Sequence, residues 1–249
     1  TKPYTLKVTS RTPLDYASPT TTSSPSFPMP YLSGSAAAAG AGLCPLAIGT
    51  QTTGSINRPA AFCGVVGYKP SYARIPRDAV LAHAHSLDHV GLFATDLSGI
   101  QLMAPVVVSQ WSSQLTPTSL RKTAAPVLGI PTGAYLDQAD DQARSQFERD
   151  CGRLERAGFI LKKIGMFPSY SDIALRHHTL MNAEFASEHA ELYPPYSHLY
   201  HPHTADIILA GWDVSESVRQ EIRNARLQMR AAVELIMDTE SIDAWITPG

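Results

Sequence analysis

The span from residue 33 to residue 70, SGSAAAAGAGLCPLAIGTQTTGSINRPAAFCGVVGYKP, constrains this chain more than any other. It concentrates glycines and other small residues around a single Thr-Thr-Gly-Ser turn. Only Gly, Ala, Ser and Thr let a main chain approach another group so closely, and Gly alone enters strained turn angles without cost. A span of this kind reads as backbone built to face a substrate or to pack against other backbone.

The whole chain sets the limits. Its 249 residues can bury one sizeable core or two small ones. A formal charge of −2 gives no electrostatic case for nucleic acid or for an anionic membrane as partner. No apolar run approaches a membrane span, and no secretory signal opens the sequence. The three cysteines, Cys44, Cys63 and Cys151, are scattered and lack CxxC spacing. That favours reduced thiols in a cytoplasmic protein over a disulfide framework or a zinc site.

Residues 1–32 differ from the rest. Ser, Thr and Pro fill 18 of the first 30 positions, and neither a helical nor a strand period persists. Such a composition cannot bury enough apolar surface to offset chain entropy, so an irregular, disordered or unrelated segment is expected. From Ser35 the pattern tightens. Ser35 is the expected cap of a short Ala36–Ala41 helix ending at Gly42. A buried strand is expected over Leu43–Ile48, with Gly49–Gly54 as its exit loop. The apolar spacing of Leu97, Ile100, Leu102 and Met103 predicts a helix over Asp96–Val108.

Further along, Val127–Ile130 reads as a strand. Asp140–Ala157 reads as an amphipathic helix with Ala143, Phe147, Leu154 and Ala157 on one face and Gly158 at its end. Phe159–Ile164 is the next strand, followed by helices over Asp172–Leu192 and Asp213–Thr239, the second capped by Asp213 with Glu216. Ile242–Thr247 reads as a last strand. Alternating strands and helices predict an α/β fold, a mixed β-sheet layered with helices.

The chemistry concentrates at Ser55. A serine on a sharp turn between strand and helix, preceded by small residues, is a candidate nucleophile. The amides of Thr52, Thr53 and Gly54 are placed to converge on a developing oxyanion. Losing one such donor typically costs roughly a hundred- to a thousand-fold in rate. By spacing alone, a Gly-Ser pair is more often an ordinary turn.

The stretch GSAAAAGAGLCPLAIGTQTTGSINRPAAFCGVVGYKPS, followed by SLDHVGLFA at Ser86–Ala94, closely resembles the amidase signature family. Its members hydrolyse linear amides with a Ser–cis-Ser–Lys triad. The likeness covers about residues 33–110, and it implies that residues 33–249 are a partial amidase domain, a central fragment of a longer enzyme. Position by position, the resemblance makes Ser55 the nucleophile and Thr52, Thr53 and Gly54 the oxyanion hole. Arg58 matches a basic position that in some members holds a substrate carboxylate, a task suited to a planar guanidinium. An ordinary ion-pair arginine is the equal alternative. The resemblance implies a small-molecule amide substrate and no metal or organic cofactor, and it admits a homodimer.

Two departures stand out. The family's cis-serine lies 24 positions before the nucleophile, where this sequence has Tyr31. Ser33 is the nearest stand-in for that proton relay, though a loop or capping serine is the commoner role. The family's lysine base falls further upstream, and Lys2 and Lys7 lie too close to Ser55 to match it. A serine hydroxyl needs a base to accept its proton, so turnover is expected to be impaired. Two other functions stay open: a non-catalytic truncated homologue, or the glutaminase-type subunit of a tRNA-dependent amidotransferase.

Other candidates read as structural. His83, His85 and His89 alternate, but no acidic or cysteine cluster completes a metal site. His177 and His178 are neighbours on a helix and point apart, and His198, His201 and His203 fall in a Pro-rich turn. Asp88 reads as a carboxylate bonding turn amides, Cys63 as an inert buried thiol, and Lys69 as a surface or loop-anchoring charge.

Overall fold

The computed structural model describes Tyr4–Thr5, residues 33–111 and residues 125–248. The described residues divide into two compact units: residues 33–78 with 89–111, and residues 4–5 with 79–88 and 125–248. Mixed α/β architecture is present throughout, but the strands form two separate sheets, one in each unit.

The first unit is built on a three-stranded antiparallel sheet. Strand β2 (Leu46–Gln51) pairs with β4 (His89–Ala94), which also pairs with β3 (Val66–Tyr68). β4 is central and apolar on both faces; Leu92, Phe93 and Ala94 are fully buried. One face holds Val90, Leu92, Ala94 and Ile75 against Ile100, Ala104 and Val108. The other packs Phe93 onto Ile56, Ala60 and Val65 together with Ala36 and Ala39.

Helix α1 (Ser33–Gly40) ends in a left-handed turn at Gly42, φ +72. There the Leu43 amide donates to Ala38 O and the Gly42 amide to Ala39 O, closing the helix end. Ser35 is not the cap: it lies inside α1, and its hydroxyl donates to Ile48 O of β2 at 3.0 Å. The expected buried strand over Leu43–Ile48 starts three residues later; Leu43 and Ile48 are exposed, because β2 is an edge strand. Helix α3 (Leu97–Val107) is capped by Asp96, which accepts from the Gly99 amide at 2.9 Å. It buries Ile100 and Ala104, while Leu97 and Leu102 face solvent.

The second unit holds a parallel sheet of order β1-β7-β5-β6: Tyr4–Thr5, Ala244–Trp245, Val127–Thr132 and Ile160–Gly165. Strand β1 lies in the segment expected to be irregular. Helix α4 (Asp141–Arg156) links β5 to β6, as a parallel pair requires. Asp140 caps it through the Ala143 amide at 2.7 Å, and Gly158 (φ +93) ends it. Phe147, Cys151 and Leu154 cover Leu128, Ile130 and Ile246, whereas Ala157 is exposed. The expected last strand shrinks to Ala244–Trp245.

The remaining helices are α5 (Tyr170–Glu188), the short α6 (Tyr193–Tyr196), α7 (Pro202–Trp212) and α8 (Glu216–Thr239). Sequence periodicity missed α7, since Pro202 at its first turn reads as a breaker although Pro is favoured there. Asp213 does not cap α8; it closes α7, and the Ser215 hydroxyl accepts from the Val218 amide. α7 packs on α5 at Gly211, where a Cβ would collide with Asn182 O. Among the described residues no helix is long and apolar enough to cross a membrane.

Candidate active site

Strand β2 ends at Gln51, and the chain turns through Thr52–Ile56 into α2 (Asn57–Cys63). A helix start leaves amides without intrahelical acceptors, and these are usually satisfied by a polar cap residue. Here the cap position is Ile56, which offers no side-chain acceptor. Gln51 supplies it instead. Its buried Oε1 accepts from the Ile56 amide at 2.9 Å and from the Asn57 amide at 3.1 Å. One side chain thereby fixes the strand end to the helix start across the turn that holds Ser55.

Ser55 sits in that turn, half-buried, with the fully buried Ile56 next to it. Thr52 and Gly54 are half-buried and Thr53 is exposed. The Gly54 carbonyl accepts from the Arg58 amide at 2.9 Å, which begins the helix. The Arg58 side chain folds back over the turn: a Cβ on Gly54 would lie 2.8 Å from Arg58 Nε. Glycine at 54 is thus required for the arginine to rest there. Arg58 is exposed, and among the described residues no carboxylate pairs with it. The structure therefore brings Thr52, Thr53, Gly54, Ser55 and Arg58 onto one turn. Ser33 is the first residue of α1, and Tyr31 lies outside the described residues.

The other sequence candidates fall into place as structural groups. Asp88 Oδ2 accepts from the His83 and Ala84 amides at 2.7 and 2.9 Å, the turn role expected of it. Burial pushes the Cys63 thiol up, which keeps it protonated and unreactive. Lys69 donates to Pro70 O at 2.8 Å, and burial lowers its pKa to about 8. His201 is no loop residue: its Nδ1 accepts from the His203 amide at the start of α7. His83 stacks on Phe185 at 4.5 Å, and no described group of three or more His, Cys, Asp or Glu is arranged to hold a metal ion.

Two residues of structural weight carry no obvious sequence mark. Gln51 was legible in principle, because a helix starting at Ile56-Asn57 without Ser, Thr, Asp or Asn at its cap demands an acceptor from elsewhere. Glu184 on α5 was not. It is buried, accepts from the Ser86 amide at 2.8 Å and pairs with Arg223 at 3.6 Å. Nothing in the sequence links positions 98 residues apart.

A family model described as Amidase matches residues 33–248. The chain belongs to the amidase family. Over 142 residues this amidase is 37% identical to a glutamyl-tRNA(Gln) amidotransferase subunit from Chlamydia abortus (strain DSM 27085 / S26/3); the match takes in 53% of this chain and 29% of that protein. The corresponding subunit from Salinibacter ruber (strain DSM 13855 / M31) is 30% identical over 191 residues, 70% of this chain and 35% of that protein. The chain thus spans about a third of the length of the curated relatives it matches. A solved amidase superposes with a TM-score of 0.73 at 25% identity, covering 85% of this chain and 46% of that one. A peptide amidase bound to chymostatin shares the fold, with a TM-score of 0.66 at 16% identity over 87% of this chain and 55% of that one.

Proposed function

We propose that this amidase carries the acyl-transfer centre of a hydrolase acting on carbon–nitrogen bonds of small amides. The Ser55 hydroxyl attacks the amide carbonyl. Negative charge gathers on the carbonyl oxygen against the amides of Thr52, Thr53 and Gly54. The intermediate collapses, the amine leaves with a proton, and an acyl group remains as an ester on Ser55. Water then releases the acid. None of these steps calls on a metal or an organic cofactor. The observation that carries the reading is the placement of Ser55: a half-exposed hydroxyl in a turn whose two following amides are held by buried Gln51.

The unpaired Arg58 guanidinium beside that turn suits a substrate with a carboxylate. By the family resemblance, the serine proton passes through a second serine to a lysine. Ser33 is the candidate relay in this sequence, with Tyr31 at the family's own relay position. The cytoplasm is the compartment that three free thiols favour.

A second reading has its own support. The curated relatives named above are amidotransferase subunits, so a glutaminase role within a larger assembly fits the same turn. Arginine three residues past Ser55 favours the free-standing hydrolase. Hydrolysis of a panel of small amides by the protein and by Ser55→Ala tests the proposal: turnover is lost in the variant, and turnover that survives the substitution contradicts it. Copurification with a partner protein and tRNA would favour the second reading.

A further inference from the structure

A cavity of about 230 Å³ opens between α5, α8 and the turn at Leu87. Its walls are apolar: Leu87, Ile173, Leu180, Ile222 and Met229. Three cationic or titratable side chains also line it, Arg176 and His177 from α5 and Arg226 from α8. All of these residues belong to the second unit, which does not contain Ser55.

The charges in this cavity are not balanced by its own walls. Arg226 Nη1 donates to Ser86 O and Oγ at 3.2 and 3.1 Å, and Arg176 Nε donates to Asp172 O at 3.2 Å within its own helix. Both partners are neutral oxygens. Among the described residues neither arginine pairs with a carboxylate. The nearby Glu184 is already committed to the Ser86 amide and to Arg223. His177 is held toward its neutral form by burial first, then by His178 and Arg226. Positive charge without a counter-ion, set in apolar walls, costs free energy unless an anion completes it.

Size narrows the occupant. An apolar cavity of roughly 150 Å³ accepts a benzene ring. A cavity of about 230 Å³ takes a ring or short alkyl chain together with a charged arm. We propose that this cavity is a binding site for a small carboxylate with an aryl or alkyl body, its carboxylate held by Arg226 and Arg176 and its body against Leu180, Ile222 and Met229. The guanidinium fork matches a carboxylate, and the walls give a fully hydrated anion such as phosphate nothing to bury. The site needs no serine chemistry, so it stands or falls apart from the hydrolase reading.

Calorimetric titration of the full chain with 3-phenylpropionate tests it, with 3-phenylpropionamide and inorganic phosphate as references. The carboxylate is expected to bind one to one. The neutral amide and phosphate are each expected to bind at least roughly tenfold more weakly, the order of one charge-assisted hydrogen bond. Arg226→Gln and Arg176→Gln should each weaken the carboxylate by a similar factor. Ala225→Phe should block it by filling the cavity with both arginines in place. Ser55→Ala should bind as the parent does, which separates this site from the serine. Should Arg226→Gln unfold through loss of its Ser86 contacts, the comparison of the three ligands on the parent protein still decides. No saturable binding of 3-phenylpropionate, or amide or phosphate binding as tightly, overturns the proposal.

Discussion

In the unit that carries Ser55, main chain approaches main chain. Gly91 in the central strand faces Tyr68 O and Ile56 Cδ1 so closely that a Cβ there would collide with both, and Gly54 lies beneath the Arg58 side chain. In the other unit, side chains fill the space. Phe185, His189, Tyr200, Tyr193 and Trp212 form a chain of rings with centroids 4.3 to 5.5 Å apart. The two modes of packing fail differently. A backbone contact has no rotamer with which to escape an added methyl, whereas a ring cluster can repack around modest changes but must keep its polar atoms satisfied.

The sharpest way to break the contrast is a methyl group. Gly91→Ala should destabilise the first unit by about 1–3 kcal/mol, because neither Tyr68 O nor the strand that carries it can move aside. Gly165→Ala, at the end of edge strand β6 with nothing within 4 Å of the new Cβ, should change stability by no more than about 0.5 kcal/mol. Denaturation midpoints of the two variants check this; equal losses would mean that the close approach at Gly91 is not rigid.

Gln51→Leu comes next. It leaves the Ile56 and Asn57 amides without their acceptor, at about 1–3 kcal/mol for a buried donor left unmade. Gln51→Glu keeps an acceptor oxygen in place and should retain more of the protection of these two amides. Hydrogen exchange at Ile56 and Asn57 reads the difference directly.

Acid should probe the ring-packed unit. Burial lowers the pKa of His83 and of His189, and the neighbouring carboxylates Asp88 and Glu188 oppose that only in part. Protonation is therefore harder in the folded state than in the unfolded chain. The stability tied to the neutral rings is complete above the unfolded histidine pKa of about 6.5 and falls as pH drops below it toward the lowered folded values. Thermal midpoints taken between neutral and mildly acidic pH should decline, and His83→Phe should flatten the slope. The smallest effect belongs to Asp140→Ala, which removes the α4 cap for about 1 kcal/mol.

The same contrast explains what could be read from the sequence. The 33–70 span is legible because close backbone packing leaves a residue-by-residue mark: a small side chain wherever another chain passes. Asp140 and Asp96 announced their helices because a cap is local. Ser215 was missed in favour of Asp213, since two candidate caps two residues apart cannot be ranked without knowing where α7 ends. Leu43 and Ile48 look like core by hydrophobicity, but an edge strand exposes one face. The Glu184–Ser86–Arg226 contacts and the cavity beside them join distant segments, and no local pattern encodes such a meeting.

The central claim is that the Ser55 hydroxyl is the group that takes the acyl chain. Exposure of the protein to a fluorophosphonate, followed by mass-spectrometric mapping of the adduct, tests it most directly. The account predicts one adduct, on the peptide containing Ser55, and none in Ser55→Ala. An adduct on another residue, or equal labelling of the variant, would contradict it.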